Sequence, residues 1–188
     1  MNSPTRGAST SESKGQLVII DMQRAFREEG DWHIPRYDEA AQAIARLTSA
    51  GFQPITTRFV PDPTEPGSWS PYYDRWASMR REPEDQIWDL ALPSVDAPSS
   101  IDLPTFTKWG EAMADLIPVG GELILTGVAT DCCVLATALG AADAGRFVTV
   151  VQDACAGQND DAHDQALNLM QLLSPMINVV KSETLLQP

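Results

Sequence analysis

The sequence has 188 residues, of which 43% are hydrophobic and 21% charged, and its formal net charge is -13. This composition is too apolar for a disordered chain, and 3 cysteines are too few for a disulfide scaffold. The acidic excess argues against nucleic acid or an anionic membrane as a partner, because both attract basic surfaces. No stretch approaches the ~20 apolar residues of a membrane span or the apolar core of a secretory signal, so we expect a cytoplasmic protein.

Residues 1–15 are mostly small, polar or charged, which predicts a disordered tail before a single domain over 16–188. Within that domain, short apolar segments alternate with segments of helical periodicity. The predicted strands are Gln16 to Ile20, 52–57, 100–103, 123–126, 147–151 and 176–180. The alternation predicts an α/β fold: a doubly wound, mostly parallel six-stranded sheet in the order 3-2-1-4-5-6, with helices on both faces, similar to a Rossmann fold.

Three segments have apolar residues at helical spacing. The first predicted helix covers 38–50 and the second covers 133–144, and a glycine follows each as a stop signal. The third presents one apolar face, formed by Ala162, Ala166, Leu169, Met170 and Leu173. His163 lies among aspartates of that third segment, where we expect a solvated helix N-terminus.

The segment 60–100 is rich in proline and contains a cluster of aromatic residues: Trp69, Tyr72, Tyr73 and Trp76. A loop this long inside a compact domain is typically functional. The cluster fits either a substrate pocket or core packing at helical spacing, and both alternatives remain open. Trp69, Tyr72 and Trp76 are therefore candidates for substrate binding.

Three further residues are candidates for substrate contacts. Phe26 and Trp32 follow the first predicted strand and could line a pocket at its end. Arg58 lies just beyond the second predicted strand, where its guanidinium could meet a substrate carboxylate or form a structural ion pair.

Three residues with reactive side chains follow predicted strands. Asp21 ends the first strand, Lys108 follows the third, and Cys133 opens the helix after the fourth. The first and fourth strands are neighbours where the strand order reverses, so Asp21 and Cys133 should face each other across the crevice. The helix start lowers the pKa of the Cys133 thiol, a carboxylate raises it, and a nearby lysine offsets the carboxylate. The alternative is that Cys132 and Cys133 are small buried hydrophobic residues.

Four segments of the sequence form a specific set of motifs. They read LVIIDMQRAF from Leu17, TFTKWG from Thr105, LILTGVATDCCVLATALGAADAG from Leu123 and VVQDACAG from Val150. With these motifs the chain resembles the isochorismatase-like cysteine hydrolases, a superfamily that includes nicotinamidases, N-carbamoylsarcosine amidases and isochorismatases. The resemblance extends over residues 16–180, and the GVATD-x-CV element together with DMQ is specific.

The resemblance implies a role for each of the strand-end residues. Asp21 would be the general base, Lys108 the charge that stabilises Asp21 and the thiolate, and Cys133 the nucleophile. The family has a cis peptide bond before the residue that matches Ala129. That bond turns the N–H of Ala129 towards an oxyanion hole shared with the N–H of Cys133. Cys132 matches a variable position of the family, so we assign it no role.

The implied reaction is hydrolysis of a C–N bond in a small amide, ureido or carbamoyl compound through a thioester intermediate. Because isochorismate cleavage in this superfamily does not need the cysteine, the presence of Cys133 favours the amidase reaction. An ether hydrolase of the isochorismatase type is the alternative within the family. The substrate is a small molecule, and the resemblance implies a homodimer or homotetramer.

One departure from the family concerns metal binding. Nicotinamidases of the superfamily carry an aspartate and two histidine ligands after the second strand, whereas this chain reads TTRFVPDPTEPGSWSP from Thr56, without histidine. The two histidines of the chain, His33 and His163, lack the spacing of metal ligands. We therefore expect no metal and no other cofactor, which argues against nicotinamide as the substrate.

Two non-enzymatic alternatives remain. Receiver-type signalling domains are also acidic doubly wound sheets with an Asp and a Lys at strand ends, but they need several acidic residues after the first strand to hold Mg²⁺. The DMQ motif offers only Asp21 there. A redox sensor would instead use Cys132 and Cys133.

Overall fold

A parallel β-sheet forms the centre of the computed structural model, which describes residues 15–92 and 100–187. In chain order its strands are β1 (Gln16–Ile20), β2 (Pro54–Phe59), β3 (Ser100–Leu103), β4 (Glu122–Val128), β5 (Phe147–Ala156) and β6 (Ile177–Val180). They pair in the order β3-β2-β1-β4-β5-β6, and every pairing between them is parallel. This topology confirms the predicted doubly wound sheet. The predicted tail, apart from Gly15, lies outside the described residues.

Helices cover both faces of the sheet. In chain order they are α1 (Arg24–Arg27), α2 (Tyr37–Ser49), α3 (Trp69–Arg75), α4 (Glu111–Leu116), α5 (Leu135–Asp143), α6 (Asp160–Gln171) and α7 (Ser182–Leu186). Short 3-10 turns cover Ala77–Met79 and Gln86–Trp88, and a π-helical turn covers Thr130–Val134. None of the described helices combines the length and the hydrophobicity needed to cross a bilayer.

Alternate residues of β1 contribute to two hydrophobic cores on opposite faces of the sheet. Leu17 and Ile19 pack with the apolar side of α2, whereas Val18 and Ile20 pack with residues of α5 and α6. All four side chains are buried. The continuous apolar run of β1 therefore reflects a strand that is covered on both faces. Asp21, which follows the strand, is buried as well.

At Gly127 the backbone of β4 lies so close to the end of β1 that a side chain at this position would not fit. Gly127 has a φ of +105° beside an irregularity in the pairing of β4 with β5. A Cβ atom at Gly127 would lie 2.1 Å from the carbonyl oxygen of Ile20. Only glycine fits this contact, and it brings the segments that follow the two strands together.

The face of α6 that packs inward differs from the predicted one. Leu169 and Leu173, which belong to the predicted apolar face, are 56% and 41% exposed, so the prediction of that face is wrong at these two positions. The buried side chains are His163, Ala166, Leu167 and Met170. These four positions also have helical spacing. Because the first of them is a polar histidine, the sequence does not show them as one apolar face. The prediction that His163 is solvated is also wrong, because its side chain is buried.

The segment that carries Cys133 is a π-helical turn, not the first turn of a regular α-helix. The predicted helix 133–144 is therefore divided: the turn covers Thr130–Val134 and α5 begins at Leu135. The carbonyl oxygen of Ala129 accepts hydrogen bonds from the N–H groups of Cys132 and Val134 at 3.0 and 3.1 Å. The wider turn displaces Cys133 from the position that a continuous helix would give it.

Candidate active site

Asp21 is a buried carboxylate at the end of β1. Its φ of +47° lies in the left-handed region, which is uncommon for a residue other than glycine. The backbone N–H of Asp21 donates to Thr57 Oγ1 at 3.2 Å, and the Thr57 hydroxyl donates in turn to Asp21 Oδ1 at 2.7 Å. Thr57, on the neighbouring strand β2, therefore fixes both the backbone and one carboxylate oxygen of Asp21.

Lys108 supplies a buried cation beside this carboxylate. Its Nζ lies 3.2 Å from Asp21 Oδ2, and neither side chain is exposed. The same ammonium donates to the carbonyl oxygens of Thr105 and Leu103 and lies 5.0 Å from the ring centroid of Phe59. The carboxylate, the two carbonyl groups and the aromatic face together compensate for the loss of water around the charge.

Cys133 completes the group of three strand-end residues that the sequence singled out. Its side chain is buried, and its thiol lies close enough to the Asp21 carboxylate for each group to shift the pKa of the other. Thr137, one turn further along, links this cysteine to the lysine. Its hydroxyl donates to the carbonyl oxygen of Cys133 at 2.7 Å and accepts from the backbone N–H of Lys108 at 2.8 Å.

Sequence reasoning missed both threonines. Thr57 lies in a predicted strand and Thr137 in a predicted helix, where threonine usually serves packing or local backbone bonding. The signal that could have identified Thr57 is its place near the carboxyl end of β2, the strand beside the one that carries Asp21. No sequence pattern distinguishes Thr137 from an ordinary helical threonine.

The surroundings raise the pKa values of both titratable groups in this contact. Burial raises the pKa of Asp21, against the opposing effects of Lys108, Thr57 and the Cys133 thiol. A hydrogen bond with Cys132, burial and the charge of Asp21 raise the pKa of Cys133 well above its usual value, although Lys108 opposes this shift. The expectation that a helix start lowers the pKa of this thiol is not met, because burial and the neighbouring groups outweigh it. The thiol is therefore protonated at neutral pH.

Cys133 opens into a cavity of about 130 Å³ at the carboxyl end of the sheet. The candidates Phe26, Trp32, Tyr72 and Trp76 line this cavity, as do Ala129 and Cys133. Sequence reasoning missed the remaining lining residues, which are Asp31, Ile34, Phe59, Phe106, Asp131, Cys132 and Gln158. The peptide bond between Val128 and Ala129 is cis, as the family resemblance implies.

The aromatic cluster divides between the cavity and the core. Tyr72 and Trp76 contribute to the cavity wall, whereas Tyr73 is buried in the core. Trp69 packs behind the wall, with its ring centroid 5.0 Å from that of Phe106 and 5.5 Å from that of Tyr72. Tyr72 and Trp76 thus belong to the pocket and Tyr73 to the core. Trp69 does not itself line the cavity.

Arg58 also lies outside the cavity. Its guanidinium donates to both carboxylate oxygens of Asp102, at 3.0 and 2.5 Å. Successive residues of a strand point to opposite faces, so with Thr57 directed at Asp21, Arg58 points the other way. Of the two predicted alternatives, a substrate contact and a structural ion pair, Arg58 therefore forms the ion pair.

The described residues contain no group of three or more histidine, cysteine and acidic side chains that could hold a metal ion. Asp62 follows β2, where the nicotinamidase ligands would be expected. Its Oδ1 accepts hydrogen bonds from the backbone N–H and the hydroxyl of Thr64 at 2.9 and 2.7 Å. The residues present at this position do not fit a metal centre.

The chain matches one family model and superposes on several solved structures. The family model described as the isochorismatase domain matches residues 16–183. A cysteine hydrolase from Pseudomonas syringae superposes with a TM-score of 0.75 at 15% identity, covering 91% of this chain and 90% of that one. A pyrazinamidase from Pyrococcus horikoshii, in complex with zinc, gives 0.66 at 24% identity, with coverages of 88% and 98%.

An N-carbamoylsarcosine amidase from Thermoplasma acidophilum gives a TM-score of 0.67 at 18% identity, covering 89% of this chain and 96% of that one. No curated protein matches the sequence. At these identities the structural neighbours establish a shared fold, and the family model establishes the relationship over nearly all of the described chain.

Proposed function

The chain belongs to the isochorismatase family of hydrolases, and we propose that it hydrolyses a C–N bond in a small amide, ureido or carbamoyl compound. The observation that carries this proposal is the buried ion pair of Asp21 and Lys108 beside the buried Cys133 thiol, whose pKa both charges shift. This arrangement joins a nucleophile, a base and a stabilising cation beside a cavity of small-molecule size.

The first step transfers the thiol proton. Asp21 accepts the proton of Cys133 while Sγ attacks the substrate carbonyl carbon, which forms a tetrahedral oxyanion. The backbone N–H groups of Ala129 and Cys133 donate to that oxyanion. Lys108 stabilises the negative charge that passes between the two groups, since it opposes the upward shift of both pKa values.

The second step breaks the C–N bond. Protonated Asp21 gives its proton to the leaving nitrogen, which departs as ammonia or an amine and leaves the acyl group on Cys133 as a thioester. A water molecule then gives its proton to Asp21 and attacks the thioester. The acid is released, and the proton returns to the thiol. The sum is one amide and one water converted to one acid and one amine.

The position of Cys133 supports this reaction over its alternatives. An ether hydrolase of the isochorismatase type has no need of a thiol in contact with the base. A receiver domain needs an accessible aspartate with acidic neighbours for Mg²⁺, but Asp21 is fully buried between Thr57, Lys108 and Cys133. Two of the structural neighbours are named as amidases, a pyrazinamidase and an N-carbamoylsarcosine amidase.

We further propose that the reaction proceeds without a metal ion. The pyrazinamidase structure contains zinc, but the segment after β2 of this chain has no histidine, and Asp62 is engaged by Thr64. We expect turnover to survive dialysis against EDTA. Loss of activity that one added metal restores would contradict metal independence.

The experiment that tests the proposed function is a screen for ammonia release. Primary amides, ureido acids and carbamoyl compounds are incubated with the wild-type protein, the Cys133→Ala variant and the Cys132→Ala variant. We expect release with wild type and with Cys132→Ala, and a loss of several orders of magnitude in Cys133→Ala. Equal release by wild type and Cys133→Ala would contradict the proposal.

A further inference from the structure

The cavity wall carries negative charge, and no cationic side chain of the described chain lines it. Two aspartates, Asp31 and Asp131, are the charged lining residues, and the others are mostly aromatic or apolar. Asp131 is half-buried, and its Oδ1 accepts from the backbone N–H of Gln158 at 2.9 Å. The Oδ2 of Asp31 accepts from the Ser78 hydroxyl at 2.5 Å. Both carboxylates are thus held in position by neighbouring groups.

Two nearby cations are already committed to acidic partners. Lys108 faces Asp21 and two backbone carbonyl oxygens, and Arg58 is paired with Asp102. A third cation, Arg75, contacts the wall residue Trp76. Its guanidinium carbon lies 4.9 Å from the ring centroid of Trp76, but Arg75 is not a lining residue.

An anionic substrate would therefore enter an unfavourable environment. A carboxylate that leaves water for an apolar cavity needs a cation or several hydrogen-bond donors, and without them its desolvation is costly. Here it would meet Asp31 and Asp131, whose charges would repel it. A flat neutral group meets none of these costs, and the charges of Asp31 and Asp131 attract a cation.

From these charges we propose that the cavity selects amides whose remaining part is flat and either uncharged or positively charged, and that it excludes substrates with a carboxylate or phosphate. This inference rests on the proposed function, because it assigns the substrate class of the same site. It separates this chain from any relative that hydrolyses carbamoylsarcosine, since that compound carries a carboxylate.

The test uses two thiol reagents of similar size and opposite charge, so that it does not depend on amide hydrolysis. They are the trimethylammonioethyl and the sulfonatoethyl methanethiosulfonates, applied to the full-length Cys132→Ala protein so that the reaction reports on Cys133. Mass spectrometry locates the adduct. The quantity compared is the ratio of the cationic to the anionic reaction rate at Cys133, divided by the same ratio for free cysteine. We expect this normalised ratio to be about ten or more.

Matched variants identify the source of this preference. In the same background, Asp131→Asn and Asp31→Asn should each lower the ratio severalfold. Asp115→Asn, a control with the same change in net charge on the exposed side of α4, should leave the ratio unchanged. Arg75→Gln should not lower the ratio. A sulfonate reagent that reacts as fast as the cation, or a ratio that Asp131→Asn and Asp31→Asn leave unchanged, would overturn the inference.

A second arm tests the substrate class directly with benzamide, 4-aminomethylbenzamide and 4-carboxybenzamide. Cleavage of the first two with no cleavage of the carboxylate supports the inference, and equal cleavage of the carboxylate overturns it. If no compound in any screen releases ammonia, the proposed function fails. The reagent ratio at Cys133 then still decides the charge preference of the cavity.

Discussion

The hydroxyl of Thr137 accepts a hydrogen bond from the N–H of Lys108 at 2.8 Å and donates one to the carbonyl oxygen of Cys133 at 2.7 Å. One side chain therefore connects the loop of the buried cation to the turn of the buried thiol. The relative position of these two groups depends on α5 as well as on the strand ends.

Thr137→Val should remove this connection while preserving the size of the side chain. It leaves the N–H of Lys108 without its acceptor in the protein interior, at a cost of about 1–3 kcal/mol in the free energy of unfolding. We expect kcat to fall by about tenfold or more with little change in KM, because the substrate does not touch Thr137. Thr137→Ser, which keeps the hydroxyl, should retain most of kcat. Equal kcat in both variants would contradict the positioning role.

Lys108→Met should weaken both the fold and the chemistry. Removing one partner of a buried pair leaves Asp21 uncompensated, which costs about 3–5 kcal/mol in the free energy of unfolding. Since Lys108 opposes the upward shift in the pKa of Cys133, its loss raises that pKa further and slows alkylation by iodoacetamide. Urea titration and alkylation kinetics measure the two effects. Lys181→Met, at an exposed position, is the matched control. Wild-type alkylation and turnover in Lys108→Met would contradict this account.

Gly127→Ala tests the close approach of β4 to β1. The new Cβ would lie 2.1 Å from the carbonyl oxygen of Ile20, so the backbone must move or the protein will not fold. Gly51→Ala is a matched comparison, because Gly51 also has a positive φ but nothing lies within 4 Å of the new Cβ. We expect a cost of about 1 kcal/mol at Gly51 and a much larger one at Gly127. Similar thermal stabilities of the two variants would show that the contact is not restrictive.

His163 should make stability depend on pH. Its Nδ1 lies 2.8 Å from Thr130 Oγ1, and burial lowers its pKa below the usual 6.5, against the opposing charges of Asp164, Asp160 and Asp131 and with a contribution from Arg36. The unfolded chain therefore binds a proton before the folded protein does. The contribution of His163 is complete above pH 6.5 and is lost as the pH falls towards the lowered pKa, with a slope of at most about 1.4 kcal/mol per pH unit.

The measurement for His163 is urea unfolding between pH 5 and pH 8 for wild type and His163→Asn. Groups that titrate in both proteins cancel in the difference, and His163→Asn should lack the decline below pH 6.5. A difference that stays constant across this range would show that the pKa of His163 is not lowered by the fold.

The sequence was sufficient for the convergence of Asp21, Lys108 and Cys133, because strand ends meet at one edge of a parallel sheet whose order follows from the alternation of elements. It was insufficient wherever the result depends on local geometry. Arg58 and Thr57 are adjacent in the sequence, and only the register of β2 decides which one faces Asp21.

The pKa of Cys133 shows the same limit. A cysteine placed at a helix start by sequence is expected to have a lowered pKa, but a hydrogen bond with Cys132, burial and the charge of Asp21 raise the pKa of this thiol. Neither the π-helical turn nor the degree of burial leaves a periodic signal in the sequence. The charges of the cavity wall were likewise missed, because Asp31 lies in a turn and Asp131 in the π-helical turn, far apart in the chain.

The most direct test of the central claim is the site of acylation. The amide that releases the most ammonia is mixed with wild type, Cys132→Ala and Cys133→Ala, and the reaction is quenched in acid within a turnover. Tandem mass spectrometry of the peptide that contains residues 132 and 133 then locates the acyl group. We predict a thioester on Cys133 in wild type and in Cys132→Ala, and none in Cys133→Ala. An acyl group on Cys132, or full turnover in Cys133→Ala, would contradict the account.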